Sequence, residues 1–132
     1  RHLKKTSKKR QMVIEITPVP KPRMVGSDRW KKRPSVLRYW AFKDKLRSLV
    51  EGTLEPSFDV TFVFPMPQTW SNKKKAANDG KPHQQRPDLD NAVKALMDAL
   101  CDEDSHIHDV HMRKTWGKVG QIILREHPKR LV

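Results

Sequence analysis

The sequence holds one cysteine, Cys101. That excludes an intrachain disulfide and any zinc site built from cysteines alone, and it fits a reducing compartment, the cytoplasm. Cys101 falls at the end of an apolar stretch and reads as a helix-end hydrophobe rather than a nucleophile. No apolar run reaches the ~20 residues of a spanning helix. No basic start leads through an apolar middle to a small-residue cleavage site. Neither a membrane partner nor an export leader is therefore expected. Acid is the other shortage: 15 Asp plus Glu face 28 Lys plus Arg, a formal net charge of +13 at pH 7. Such an excess repels itself in the folded state and asks for a polyanionic partner rather than a small-molecule substrate. Nucleic acid fits best, because each neutralised phosphate also releases counterions.

The 132 residues suffice for one domain with one core. Residues 1–10 hold six basic side chains and one large apolar one, Leu3, too little to order them, and read as a flexible basic arm. Met12, Val13, Ile14 and Ile16 form a short β-type run. Prolines 18, 20 and 22 then force an extended, stiff connector. Arg23, Arg29, Lys31, Lys32 and Arg33, with Trp30 among them, make a basic loop suited to bases and phosphates; Trp30 serves equally as a lid on the core. From Ser35 to Val50 the pattern predicts an amphipathic helix, with Leu37, Trp40, Ala41, Leu46 and Leu49 as its inner face, Ser35 as N-cap and Gly52 as stop. Phe58, Val60, Phe62 and Phe64 alternate with less apolar residues and mark the clearest strand, which ends at Pro65-Met66-Pro67. Residues 68–85 are polar and carry Lys73, Lys74, Lys75 and Lys81. They read as a flexible basic loop that orders on DNA, with a short helix over Ser71–Ala77 as the alternative. Ile107, Val110 and Met112, then Val119, Ile122, Ile123 and Leu124, predict two strands joined as a hairpin that turns near Gly117–Gly120. His106, His108 and His111 have no zinc-like spacing and read as polar strand residues.

The scarce carboxylates concentrate between Arg86 and Asp104. Pro87 ends the loop, and Asp88 is a natural N-cap. Leu89, Ala92, Val93, Leu96 and Leu100 then form a buried helical stripe, and Asp90, Lys94 and Asp98 an exposed one. On the bland reading Asp88 only caps, and Asp90 only pairs with the helix dipole and Lys94. The surroundings favour more. Acids beside a strongly positive loop, with Asp102, Glu103 and Asp104 at the helix end, suit Mg²⁺, a hard ion that takes a few carboxylates plus water and substrate phosphate. Such an ion activates water and stabilises a leaving oxygen, and Lys94 is placed to orient that water or to neutralise the charged phosphorus centre.

Arg86-Pro87-Asp88-Leu89-Asp90-Asn91, Lys94-Ala95-Leu96-Met97-Asp98-Ala99-Leu100, Glu103-Asp104-Ser105-His106-Ile107 and the later Lys114 resemble the RusA family of Holliday junction resolvases. That pattern reads Pro-Asp-Ile/Leu-Asp-Asn, then Lys and Asp-Ala-Leu, then Asp-Asp-Ser-Gln-Ile/Val, then a lysine. Pro18-X-Pro20-Lys21-Pro22-Arg23 and Pro65-Met66-Pro67 fall in the family's order too, so the likeness spans most of residues 12–126. Glu103 stands where the family has an Asp, and His106 where Gln is common. The resemblance implies a single α/β nuclease domain over residues 11–132, with a small mixed sheet of about four strands and two main helices. It implies a homodimer, in a bacterial or phage-infected cell, that nicks four-way DNA junctions symmetrically in recombination and repair. Mg²⁺ would be the cofactor, with Mn²⁺ as a substitute. The catalytic and metal-holding acids would be Asp88, Asp90 and Asp104, with Lys94 as catalytic lysine. Arg23, Lys73, Lys74, Lys75, Arg86 and Lys114 would contact DNA. Rival readings are a nuclease for flaps or forks, and a non-catalytic nucleic-acid-binding protein.

The short link between the helix and the second acidic block creates a difficulty. A helix from Leu89 to Leu100 spans ~16 Å at 1.5 Å per residue, and residues 101–103 reach back only ~10 Å when extended. Either Asp104 completes the site of a partner subunit, or the helix ends early, near Ala95.

Overall fold

The structure, a computed structural model, describes residues 10–23 and 33–127. The elements run β1 (Arg10–Ile14), α1 (Pro34–Leu49), β2 (Ser57–Pro65), α2 (Asn72–Asn78), α3 (Leu89–Leu100), β3 (Asp109–Gly117) and β4 (Gln121–Glu126). They form one mixed sheet in the order β1-β4-β2-β3. The expected α/β class, four strands and two main helices are present, with α2 as a third, shorter helix. Residues 1–9 of the basic arm, together with Arg29, Trp30, Lys31 and Lys32, lie outside the described residues, whereas Arg10, the last residue expected in that arm, begins β1. Among those described, no helix is long and apolar enough to cross a membrane.

The strand alternation determines which side of the sheet is covered. Phe58, Val60, Phe62 and Phe64 of β2 are all buried, while Asp59 and Thr61 between them are half-buried. Register extends that row across the sheet: Val60 lies beside Leu124 and Phe62 beside Ile122, and these in turn lie beside Met12 and Ile14. The covered face packs on α1 and α3, whose Tyr39, Phe42, Leu46, Ala92, Val93 and Leu96 join the same core. The other face is more polar, as for an antiparallel sheet covered on one side.

Three expectations are corrected. First, α1 starts at Pro34, with Arg33 as N-cap, so Ser35 lies inside the helix; proline is favoured there because its missing N–H is not needed. Its buried face is Val36, Tyr39, Phe42 and Leu46, whereas Leu37 and Trp40 are 44% and 38% exposed. Apolar residues ring this helix, so sequence phase alone was ambiguous by one position. Tyr39, which donates its hydroxyl proton to Asp98 on α3, belongs to the face that turned inward. Second, β3 and β4 do not form a hairpin. β3 runs parallel to β2 after the helical crossover, and β4 runs antiparallel between β2 and β1. Both edges of β3 are occupied, one by β2 and the other by residues 80–83. There the Gly80 amide donates to Trp116, the Trp116 amide to Lys81 and the His83 amide to Lys114, at 2.8–3.0 Å. Only the far edge of β2 is left for β4. Gly120 permits that route, since a Cβ there would sit 2.6 Å from the Thr17 Cα. Third, within residues 68–85 the helical alternative is what forms. Ser71 caps α2 by accepting from the Lys74 amide, and the segment after α2 lies along β3 through the Pro82–Thr115 bridge.

Candidate metal and nucleic-acid site

The approach to α3 is stitched down one contact at a time. The His83 ring stacks between Phe64 and Trp116, with centroids 4.5 and 4.2 Å away. Trp70 packs on the Trp116 ring at 4.8 Å, and the Lys74 ammonium lies 4.4 Å from the Trp70 ring centroid. Further along, the Lys114 ammonium donates to the carbonyls of Gln85 and Pro87, at 2.6 and 2.7 Å. The Arg86–Pro87 peptide is cis. Asp88 follows in extended backbone at the N-cap position, as expected. Its side chain, however, makes no capping hydrogen bond and remains exposed.

Opposite stands the proline connector. The Lys21 amide donates to the Asn91 carbonyl at 3.0 Å, and the Lys21 ammonium meets the Asp98 carboxylate at 2.9 Å. Asp98, expected on an open stripe with Asp90 and Lys94, is half-buried, because α1 and the connector cover that turn of α3. Burial pushes its carboxyl pKa up. Hydrogen bonds from Lys21 and Tyr39, with the charges of Lys21 and Lys43, outweigh that and hold it below the usual value. The Tyr39 hydroxyl is pushed up, first by burial and then by its bond to Asp98. Around neutrality Asp98 is thus ionised and the Tyr39 hydroxyl keeps the proton it donates to it, and the connector is tied to α3 at two points.

Between connector and helix lies a groove of about 590 Å³, lined by Pro20–Arg23, Arg86–Asp88 and Asn91. An adjoining hollow of about 390 Å³ extends it to Lys94. One wall carries Asp88, and around it stand the cations Arg23, Arg86 and Lys94. Lys94 is also 3.8 Å from the Asp90 carboxylate, but both side chains are more than half exposed, so that pair is weak. Asp88 and Lys94 of the first acidic block, together with Arg23 and Arg86, therefore fall around one concave surface, whereas Asp90 is not among its lining residues and adjoins it through Lys94. Lys73 and Lys74 stand exposed on α2, and Lys75 is half-buried there.

The second acidic block does not join them. α3 continues unbroken to Leu100, and the Cys101 amide still bonds the Met97 carbonyl, so an early end near Ala95 is excluded. Asp102, Glu103 and Asp104 are exposed at the far end, about 16 Å along a 12-residue helix. Among the described residues no group of three or more His, Cys, Asp or Glu could hold a metal ion. His106, in a turn ahead of β3, bonds the Leu54 carbonyl, and His108 also precedes the strand, so of the three histidines expected on strands His111, which pairs with Asp109, is the one that lies on β3.

Sequence reasoning missed the two tethers through Lys21 and Asp98, and it expected Lys114 to contact DNA without foreseeing its bonds to the Gln85 and Pro87 carbonyls. The signal for Lys114 was legible: it alternates in phase with Val110, Met112 and Trp116, the apolar side of its strand.

The family described as endodeoxyribonuclease RusA matches the chain over residues 4–125. No curated protein matches it.

Proposed function

The chain belongs to the RusA endodeoxyribonuclease family, and from that premise we propose that it is a Mg²⁺-dependent enzyme that resolves four-way DNA junctions by paired, symmetric nicks. The observation that carries this reading is the groove where Asp88 faces Arg23 and Arg86, in a chain of net charge +13. Carboxylates there repel the DNA the rest of the surface attracts, unless a cation intervenes.

Asp88 and Asp90 fit Mg²⁺ by donor chemistry: both are exposed, hard oxygen donors, and neither is spent on helix capping. Two carboxylates suit an ion that completes its shell with water and phosphate. Bound there, Mg²⁺ would supply Lewis acidity toward the phosphodiester and a nucleophilic water at neutral pH. Lys94, next to Asp90, would orient the nucleophile or neutralise charge growing on the phosphate. Arg23 and Arg86 would seat the strand beside the acids, and Lys73, Lys74 and Lys75 would hold more distant phosphates, contacts that position without reading sequence. Asp104 would come from the second subunit of a homodimer. A two-fold dimer would also set one site on each of two opposite arms, matching the symmetry of the junction.

Asp90→Asn tests the reading. Nicking of a synthetic junction should fall by at least ~100-fold, the scale of removing one preorganised charge-stabilising group. Binding should hold or tighten, because a repulsive charge beside phosphate is gone. Unchanged cutting would refute the role of Asp90.

A further inference from the structure

Lys114 is anomalous on two counts. In the parallel β2–β3 pairing it lies beside Phe62, as Val110 lies beside Phe58 and Trp116 beside Phe64. Side chains level with one another in a parallel pair share a face, so Lys114 projects from the helix-covered side of the sheet. The opposite face of the same strand carries Asp109 and Arg113, which bond Ser57 and Thr61. An ammonium on the inner side needs acceptors, and it has two: the Gln85 and Pro87 carbonyls, at 2.6 and 2.7 Å. These are charge-assisted bonds at the short end of the normal range, and they use two of its three donors. By contrast, Lys73 and Lys74 stand exposed on α2.

The carbonyls it grips belong to the residues just before Asp88. Lys114 continues the series of contacts by which β3 holds residues 80–83, and it does so where backbone pairing has stopped. We propose that Lys114 is a positioning residue, not a phosphate contact: it fixes the segment Gln85–Pro87 so that Asp88 enters the groove, and Asp90 follows it on α3, at a set height. The inference rests on the nuclease reading for its kinetic consequence, but the local contact it describes is independent of that reading. A displacement of about 1 Å in a reacting group can cost ~10²-fold in rate, so a loose segment should impair turnover rather than binding.

The test compares the full chain with Lys114→Met and Lys114→Arg on a synthetic four-way junction. Binding is measured with Ca²⁺ in place of Mg²⁺, over a range of salt, and nicking with Mg²⁺ at saturating protein. For Lys114→Met the saturated nicking rate should fall ~10²-fold, with the Kd and its salt slope unchanged. Lys114→Arg, which keeps a charged donor for the carbonyls, should recover much of the rate. A phosphate contact would behave the other way: weaker binding, a salt slope shallower by ~1 and a normal saturated rate. That outcome would overturn the proposal. Hydrogen exchange of the folded proteins reads the contact itself. Amides of residues 84–92 should exchange faster in Lys114→Met while those of β2 stay as in the parent; unchanged exchange at 84–92 would overturn it. If Lys114→Met does not fold, Lys114→Gln, whose shorter, uncharged side chain loses the charge-assisted grip on the two carbonyls, takes its place under the same outcomes. A parent chain that nicks nothing would refute the nuclease reading and leave the exchange result to decide the role of Lys114.

Discussion

The two ends of α3 carry carboxylates in opposite settings. At the start, Asp88 and Asp90 follow a segment held by the β3 backbone, the His83 ring and the Lys114 ammonium, and Asp88 borders a groove walled by the tethered connector. At the end, Asp102, Glu103 and Asp104 lie exposed; Glu103 accepts from the nearby Ser105 amide, and the Asp104 carbonyl accepts from the Ile107 amide. The first end has a built wall on both sides. At the second, Asp102 borders a hollow of about 340 Å³ that it shares with Arg47 and residues 50–53, and the exposed Glu103 and Asp104 stand too far along α3 to act with the first acids unless a partner docks there. A second copy of the chain, with its own α3 start, is the partner the nuclease reading supplies.

The largest effect that would break this contrast comes from mixing subunits. Asp88→Asn and Asp104→Asn proteins should each be inactive alone. If the ends meet across a dimer, a mixed dimer has one site with both acids intact, and nicking returns when the two proteins are combined. No recovery would mean that Asp104 does not act in trans.

Next in size is a difference in stability. Asp98→Ala removes the acceptor of Tyr39, which is 1% exposed, and frees Lys21. An orphaned buried hydroxyl costs about 1–3 kcal/mol, to be read from urea unfolding. Glu103→Ala at the exposed end should shift stability by no more than ~0.5 kcal/mol. Equal losses would erase the distinction between an acid tied into the fold and one left exposed.

The smallest effect is on acid stability. Burial, and then the charge of Lys114, lower the His83 pKa from its ordinary 6.5, so the unfolded chain takes up that proton before the folded one. Stability from His83 is complete above about pH 6.5 and drains as the pH falls toward its lowered folded pKa. Asp98, lowered from 3.8, adds a further loss only below that value. Melting temperature should therefore begin to decline below about pH 6.5, and His83→Phe should flatten the decline between there and about pH 4. A parent profile that is flat down to pH 4 would contradict this placement of His83.

Much of the site was legible because it is local. Asp88, Asp90 and Lys94 lie within two helical turns, and the stripe Ala92, Val93 and Leu96 fixes which way that helix faces. The β2 alternation was equally plain. What sequence could not show depends on contacts between distant segments. The phase of α1 was ambiguous because apolar side chains surround it, and Tyr39 meets Asp98 only once both helices are packed. The place of β4 followed from residues 80–83 occupying β3, a pairing no local pattern announces. Asp98 looked exposed because its own helix says so; α1 and the connector cover it.

The central claim is that the acids at the start of α3 hold a metal that cuts branched DNA. The most direct measurement is incubation of the chain with an end-labelled synthetic four-way junction, with Mg²⁺ or with EDTA. The account predicts paired nicks at symmetric positions in opposite arms, only with Mg²⁺. A junction bound tightly in both conditions and left uncut with Mg²⁺ would contradict it.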